Sequence, residues 1–272
     1  MLVRNVFIAL AAFAVPTSAF ATVNLVTNGD FESGYTANTQ FGAQCAGVTC
    51  STAPTGWTSA TAGSAASGYA LYYAAATATS ASGNALGQYS STGSEYLWAN
   101  GSPFNNAGNH FVALDGDQTN GVQASISQTI NGLTVGDIYT LTFDWAADQM
   151  VSRTGNTTEY LQVNFGSSVI NTAAISNPSK SFTAPSNYSS VNYTQVGTKA
   201  TMTFVASATQ QVLSFMSVGT PTGLPPIALL DNISLTDSTV HAAVPEPESW
   251  ALLAMGLGCV GMLTAARRRS RG

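Results

Sequence analysis

Charged side chains are scarce in this sequence, since only 8% of its 272 residues are Asp, Glu, Lys or Arg. Five of the eight basic residues lie near the two ends of the chain, so residues 22–244 contain three basic residues against eleven acidic ones. A protein that binds nucleic acid needs a basic surface that displaces counterions from phosphates. The body of this chain, with a net charge of −8, excludes nucleic acid as a partner.

Histidine is rarer still, with only two residues in the chain. One of them, His241, lies in the segment that links the body to the C-terminal end. The sequence contains no G-x-S-x-G or H-E-x-x-H pattern, and so no recognisable nucleophile–base pair or zinc-protease motif. Asp144 and Glu159 would serve as a glycosidase pair only at a separation that the sequence does not reveal. We therefore expect a protein that is not an enzyme.

The three cysteines fall into two groups. Cys45 and Cys50 have four residues between them, in a loop rich in Gly, Ala and Thr. In an oxidising compartment they would form a short-loop disulfide; alternatively they are half of a metal site, although no second Cys/His pair accompanies them. We favour the disulfide. Cys259 lies in an apolar run, where we expect it to act as a small apolar residue.

The first 21 residues have the three parts of a signal peptide in the required order. Arg4 provides the positive start, residues 6–15 are apolar, and Ala19, Phe20 and Ala21 form a small-x-small cleavage site. We expect this signal helix to direct export and to be removed after Ala21.

The C-terminal end contains an uninterrupted run of apolar or small residues from 250 to 266. Its length is close to the minimum for a helix that crosses a bilayer. The basic residues Arg267, Arg268 and Arg269 follow at once and would keep the C-terminus in the cytoplasm. The pattern predicts a transmembrane helix over 249–266 and a basic cytoplasmic tail over 267–272.

A linker over 237–248 precedes this helix and contains Pro245, Glu246 and Pro247. The Pro-Glu-Pro motif, the apolar helix and the arginine cluster together resemble the PEP-CTERM sorting signal of Gram-negative bacteria, over residues 244–272. The resemblance implies recognition by an exosortase-type protease in the inner membrane and cleavage near the motif. It also implies delivery to the cell surface or extracellular matrix, so that the membrane span is temporary, as in other removable C-terminal signals.

The body shows strand patterns, with apolar and polar residues alternating with a period of two. The clearest is 139–145, where Tyr139, Leu141, Phe143 and Trp145 share one face. Further candidate strands are 109–114, 123–130, 159–165, 193–206, 211–218 and 227–235. Turn residues such as Asn131 and Gly132 separate them. We therefore predict an all-β fold over 22–236, an antiparallel two-sheet sandwich.

Residues 58–94 depart from this pattern, because most of them are Ala, Ser, Thr or Gly and none is charged. Such side chains bury little apolar area. We predict a long and partly irregular insertion, which the tyrosines near its middle would attach to the sandwich.

Five short segments of the body together resemble a known fold. They are 24–32 (NLVTNGDFE), 54–57 (PTGW), 108–116 (GNHFVALDG), 127–130 (SQTI) and 229–235 (LLDNISL). In this order they are similar to the galactose-binding-like jelly roll of carbohydrate-binding modules and of DUF642-like exported proteins. The resemblance implies a jelly-roll β-sandwich whose first and last strands lie close together.

A structural calcium ion beside these strands is a further implication of the resemblance. Glu32 and Asp231 occupy the matching positions, and Asp30 is a further candidate ligand. Calcium prefers carboxylate and carbonyl oxygens, which these segments contain. The alternative is that Asp30 and Asp231 only accept hydrogen bonds from turn amides. The 115–121 segment lacks the twelfth-position Glu of an EF-hand, and we expect a polar turn there.

Carbohydrate-binding proteins usually present aromatic rings to the apolar faces of sugars. The candidates in loop-like surroundings are Trp57, Trp98, Tyr72 and Tyr73, with Phe104 as a weaker one; each is alternatively a core residue. The sequence thus favours a non-catalytic surface or matrix protein that binds polysaccharide. A structural or adhesive protein without a defined ligand is the alternative, and a glycan hydrolase is a third.

Overall fold

The structure of the chain is a computed structural model. It describes residues 23–36, 38–41, 53–61, 69–79, 96–99, 110–117, 123–186, 188–189, 192–196, 198–224, 226–239, 252–259 and 267. The chain divides into two units, one from Thr22 to Thr239 and one that combines Met1–Ala21 with Val240–Gly272.

The first unit is built from β-strands alone within its described residues. The fourteen strands are β1 Thr39–Phe41, β2 Thr58–Thr61, β3 Ala70–Ala74, β4 His110–Asp115, β5 Ala124–Asn131, β6 Ile138–Gln149, β7 Thr157–Phe165, β8 Ser168–Asn171, β9 Ile175–Asn177, β10 Tyr188–Ser189, β11 Tyr193–Val196, β12 Lys199–Val205, β13 Gln210–Thr220 and β14 Pro226–Asp237.

These strands form two antiparallel sheets. The eight-stranded sheet has the order β1-β3-β4-β14-β6-β12-β11-β10. The six-stranded sheet has the order β2-β5-β13-β7-β8, and β9 pairs with β7. Strands that are neighbours in space are often distant in sequence, as β14 is from β4 and β6. The fold is an antiparallel jelly-roll β-sandwich, which confirms the predicted fold class.

Side-chain alternation explains how the two sheets pack together. Tyr139, Leu141, Phe143 and Trp145 of β6 are buried in the main core, as their shared face predicted. On β13 the inward residue Phe215 lies edge-on to Phe143, with ring centroids 5.1 Å apart. Residues between the inward ones face outward, because successive side chains of a strand point to opposite sides.

The predicted strands coincide with observed ones, with one exception in the 193–206 segment. There the structure has two strands, β11 and β12, which form a hairpin in which Val196 pairs with Lys199. Only Gly197 and Thr198 separate the pair, and a two-residue connection with glycine is typical of a tight hairpin. The prediction of a single strand over 193–206 was therefore wrong.

The 58–94 segment was expected to be an insertion outside the sandwich, and this was wrong for two parts of it. The strand β2 pairs with β5 at the edge of the six-stranded sheet. The strand β3 lies between β1 and β4 in the eight-stranded sheet. The alanines of β3 stand only at its two ends, so Leu71, Tyr72 and Tyr73 between them provide the apolar area that Ala and Ser lack. Residues 62–68 and 80–95 lie outside the described residues.

The N-terminal segment of the body runs beside β14, so the two ends of the domain are adjacent. The Leu25 amide donates to the Leu235 carbonyl at 2.9 Å, and the Ile233 amide donates to the Gly29 carbonyl at 2.9 Å. A Cβ atom at Gly29 would lie 2.0 Å from the Ile233 carbonyl oxygen, so only glycine permits this approach. The adjacency implied by the sequence resemblance is present.

In the second unit, the described residues are a short helix at 252–259 and Arg267. No helix within the described part of the chain has the length and apolar character needed to cross a membrane. Several predictions concern residues outside it: the signal peptide at 1–21, the disulfide between Cys45 and Cys50, the motif residues Pro245, Glu246 and Pro247, the arginines Arg268 and Arg269, and Phe104. The transmembrane helix over 249–266 stays a prediction.

Candidate functional site

The candidate calcium ligands lie where the N-terminal segment meets β14. Asp231 of β14 pairs with Asp144 of β6, and both face the outer side of the eight-stranded sheet. The register shifts just after Asp231, and Asn232 adopts a positive φ of 52°. This conformation lets the Asn232 amide donate to Asp231 Oδ1 at 2.7 Å, while its side chain donates to Asp144 Oδ2 at 3.1 Å. Asn232 thus ties two buried carboxylates together.

Burial makes these carboxyl groups hard to ionise. It raises the pKa of Asp231 to about 8, and the negative charges of Asp144, Glu32 and Asp30 add to the shift. Burial also raises the pKa of Asp144, although the Lys199 ammonium opposes that change. A cation bound beside Asp231 would oppose this rise in its pKa, because a positive charge favours the ionised carboxylate.

Glu32 has another partner, however. Its Oε1 accepts the His110 amide at 2.9 Å, and its Oε2 lies 2.6 Å from His110 Nδ1. The ring of Tyr35 packs on the His110 imidazole with centroids 4.0 Å apart. Within the described residues, no three Asp, Glu, His or Cys side chains come close enough together to hold a metal ion. A calcium ion here would depend on backbone carbonyl oxygens, so calcium binding through Glu32, Asp231 and Asp30 stays a prediction.

Calcium binding has a direct thermodynamic signature. If the ion binds, saturating calcium raises the Tm of the metal-free protein by roughly 5 °C, because a ligand specific to the folded state stabilises it. The Asp231→Asn variant loses this gain, and magnesium gives less of it than calcium. Differential scanning calorimetry with and without a chelator measures the shift. An unchanged Tm for the wild type would remove calcium from the description of the domain.

Three of the four aromatic candidates for sugar binding are buried, which corrects the prediction for them. Trp57 is 4% exposed, and its Nε1 donates to the Asn28 carbonyl at 3.0 Å. Tyr72 faces the main core and donates its hydroxyl to the Phe31 carbonyl. Tyr73 packs against Phe111 in a second apolar cluster on the opposite face of the sheet. These rings have no free face for a ligand.

Trp98 is different, because 43% of its surface is exposed. Among the side chains that the structure describes, the other aromatic residues are buried or half-buried. The Trp98 amide donates to the Gln149 carbonyl at 2.8 Å, and the Val151 amide donates to the Tyr96 carbonyl at 2.9 Å. Residues 96–99 therefore run beside the end of β6, where backbone hydrogen bonds hold the segment that carries the exposed ring.

Two buried polar side chains fix the loops around Trp98. Gln149 donates to the Gly155 carbonyl at 2.8 Å and accepts the Lys180 amide at 2.7 Å. Asp148 lies within 3.3 Å of the Ala99 amide, which donates to its Oδ1. Lys180 in turn places its Nζ atom 5.8 Å from the centroid of the Trp98 ring. Gln149 and Lys180 could not be recognised as neighbours of Trp98 from the sequence, because they are distant from it along the chain and belong to no motif.

Several further carboxyl groups lie toward the same end of the sandwich. Asp115 accepts the Asp117 amide at 2.8 Å. The polar turn expected over 115–121 stays a prediction, because residues 118–121 lie outside the described residues. Glu159 of β7 is fully buried, and neither of its oxygens has a hydrogen-bond partner. Burial raises its pKa to about 9; the Thr157 hydroxyl opposes this and Asp148 adds to it. Glu159 faces inward on one sheet and Asp144 outward on the other, so the structure does not present them as a catalytic pair.

Glu159 should make the stability of the domain depend on pH. In the unfolded chain it ionises near pH 4.5, whereas in the folded protein it keeps its proton up to about pH 9. The folded state binds the extra proton, so this contribution to stability is complete below pH 4.5 and is lost as pH rises toward 9. The Glu159→Gln variant should not show this loss of stability. The difference in free energy of unfolding between the variant and the wild type should therefore grow by on the order of 3 kcal/mol between pH 5 and pH 8.

Urea unfolding of both proteins across this pH range measures the difference. The comparison at pH 5 serves as the internal reference, because there the wild-type carboxyl is neutral in the folded state, as the amide is. A difference that stays constant with pH would show that Glu159 is ionised inside the folded protein.

Comparison with known proteins adds one sequence match and several structural ones. Residues 243–270 match the PEP-CTERM protein-sorting motif, which confirms the sorting signal predicted there. The motif implies export and a C-terminal signal anchored in the membrane. The comparison with curated proteins found no matching sequence.

The similar solved structures include three carbohydrate-binding domains. TmCBM61, solved in complex with β-1,4-galactotriose, is 12% identical with a TM-score of 0.37, over 79% of this chain and 99% of that one. The CBM22-1 xylan-binding domain from Paenibacillus barcinonensis Xyn10C is 9% identical with a TM-score of 0.29, over 50% and 77%. The N-terminal cellulose-binding domain of Cellulomonas fimi β-1,4-glucanase C is 16% identical with a TM-score of 0.26, over 48% and 80%.

Proposed function

We propose that this protein is a non-catalytic polysaccharide-binding protein of the bacterial surface or extracellular matrix. Its C-terminal signal brings it to an exosortase-type protease, which releases it from a temporary position in the inner membrane. The exposed ring of Trp98 carries the binding part of the proposal. The sorting motif at 243–270 supports the route to the surface.

The surroundings of Trp98 suit a binding residue better than a chance exposed one. A large aromatic side chain on a surface normally packs at least one face against its neighbours, because exposed apolar area is unfavourable. Here the backbone of residues 96–99 is hydrogen-bonded to the end of β6 and Lys180 lies over the ring, yet 43% of the Trp98 surface stays exposed. A ring carried by an ordered backbone loses less conformational entropy on binding than a ring on a free loop. Its flat apolar surface matches the C–H face of a pyranose.

Trp98→Ala should therefore reduce polysaccharide binding by about tenfold or more, because aromatic anchors dominate binding energies. Trp98→Tyr keeps a ring and should retain most of the affinity. Val169→Ala removes an exposed apolar side chain from the six-stranded sheet and should have no effect. Affinity electrophoresis against a polysaccharide panel measures retention, and the Tm of each variant checks folding. Full retention by a folded Trp98→Ala protein would exclude this site.

A second candidate function is self-association in a surface layer, and the outer face of the six-stranded sheet favours it. The strands of this sheet contain only one acidic or basic residue, Glu159, which is buried. Thr58, Ser127, Ser214 and Asn164 form one row across four neighbouring strands. The Asn164 side chain donates to Ser214 Oγ at 3.1 Å.

Uncharged sheet faces and edges associate readily, and lysine is the usual protection against such contacts. The edge strand β8 has the sequence SVIN, and its Val169 is 56% exposed. A second copy of this chain would present the same neutral hydroxyl and amide groups to this face. Association of this kind would suit a protein that contributes to a matrix.

Ser214→Lys places a charge at the centre of this face. If the face mediates self-association, the variant should remain monomeric at concentrations where the wild type forms larger species, because each contact would bury an unpaired charge. Val205→Lys adds the same charge to the other sheet and should associate like the wild type. Sedimentation velocity over a concentration series compares them. A wild type that stays monomeric throughout would exclude this function.

A further inference from the structure

We propose that the ligand at Trp98 is an acidic polysaccharide, one whose sugars carry carboxylate groups, and that Lys180 and Arg153 bind those carboxylates. This inference rests on the proposed function, because it assigns a chemical class to the ligand of the same site. A neutral sugar would not require the two basic residues of this region, Lys180 over the ring and Arg153 in the adjoining turn.

The distribution of basic residues is the first observation. Residues 22–244 contain only Arg153, Lys180 and Lys199 as basic side chains. Two of these three lie at the end of the sandwich where Trp98 is exposed. The Lys180 Nζ atom is 5.8 Å from the ring centroid, within the range of a cation–π interaction. Arg153 is exposed in the turn directly after Val151, whose amide donates to the Tyr96 carbonyl.

The position of Lys180 is constrained rather than accidental. Its backbone has a φ of 55°, an uncommon conformation for a lysine, and its amide donates to the buried Gln149 side chain. The preceding residue, Ser179, donates its amide to Asn156 and accepts the Gly155 amide at 2.8 Å. These hydrogen bonds connect the Lys180 loop to the turn that contains Arg153. Both basic residues therefore belong to one hydrogen-bonded group of loops around Trp98.

Burial weakens the negative charge of several carboxyl groups at this end. Asp148 and Glu159 are fully buried, and Asp115 is nearly so. Burial raises the pKa of Asp148 well above its ordinary value and the pKa of Glu159 to about 9, which favours the neutral form of both. Burial likewise raises the pKa of Asp115 to about 7. Asp117 is also buried, and its carboxylate accepts the Gly223 amide at 2.8 Å.

The chemistry of a uronic acid residue fits this arrangement. Its ring has an apolar face that can stack on an indole, and its carboxylate extends from the ring edge. An ammonium beside the indole can then bind the carboxylate while the ring stays stacked, and a guanidinium can bind a neighbouring carboxylate with two parallel hydrogen bonds. The rest of the body is acidic, so an acidic chain would be repelled elsewhere and bound at this end.

The test compares acidic polysaccharides with neutral forms of the same backbone. Polygalacturonate and alginate serve as probes, and carboxyl reduction of each gives the matched neutral polymer. The purified full-length protein should bind the acidic forms at least about tenfold more tightly, and added salt should weaken that binding. Lys180→Gln and Arg153→Gln should each reduce affinity about three- to tenfold for the acidic forms only. Lys199→Gln removes the same charge beside Asp144 and should leave affinity unchanged.

The outcomes separate this inference from the proposal on which it rests. Equal, Trp98-dependent binding of acidic and neutral polymers, unaffected by Lys180→Gln, would overturn the acidic ligand and leave polysaccharide binding intact. An equal effect of Lys199→Gln and Lys180→Gln would show general charge attraction and would also overturn it. No binding of any polymer, with folding confirmed by Tm, would overturn both. Selective binding that depends on Trp98 and Lys180 supports both.

Discussion

The contact between the inner faces of the two sheets is the interaction on which the rest of the structure depends. Phe143 and Phe215 meet edge-on across the sandwich, and Trp57 packs against Phe215 from a neighbouring segment. Because side chains alternate along a strand, burying these rings decides which residues face outward. The outward positions of Asp144 and Asp231, and the neutral outer face of the six-stranded sheet, follow from that constraint. Packing in the core thus determines what each surface can offer to a partner.

The second constraint is the burial of polar groups at the end of the sandwich near Trp98. Gln149 and Asp148 are fully buried, and each accepts a hydrogen bond from a backbone amide of a neighbouring loop. Such groups cost free energy to bury unless they are hydrogen-bonded, and here the hydrogen bonds order the loops around one exposed ring. Glu159 is the exception, since its buried oxygens have no partner. Burial raises its pKa to about 9, so we expect its ionisation to destabilise the fold as the pH rises.

The two functional proposals use different parts of one molecule and do not exclude each other. Polysaccharide binding depends on the end of the sandwich, where Trp98 and Lys180 lie. Self-association depends on the outer face of the six-stranded sheet. A matrix protein would benefit from both, because binding the polymer and contacting its own copies create a network. The C-terminal signal at 243–270 is consistent with delivery to such a location.

Much of this description could be predicted from the sequence, for physical reasons. The alternation at 139–145 is a local property, and it correctly identified a strand and its buried face. The sorting signal is also local, since a short motif, an apolar run and basic residues need no tertiary contacts to be recognised. The resemblance of 24–32 and 229–235 to a jelly roll further placed the ends of the domain side by side.

Other features depended on contacts between distant residues, and only the tertiary structure decided them. Trp57, Tyr72 and Tyr73 looked like candidates for sugar binding because their surroundings in the sequence are loop-like, yet the folded sandwich buries their rings. Trp98 has surroundings of the same kind but remains exposed, on the segment that pairs with the end of β6. Lys180 reaches that ring only through Gln149, 31 residues earlier in the chain. The sequence by itself determined the export route and the class of fold, whereas the choice of an exposed ring and its charged neighbours arose from long-range packing.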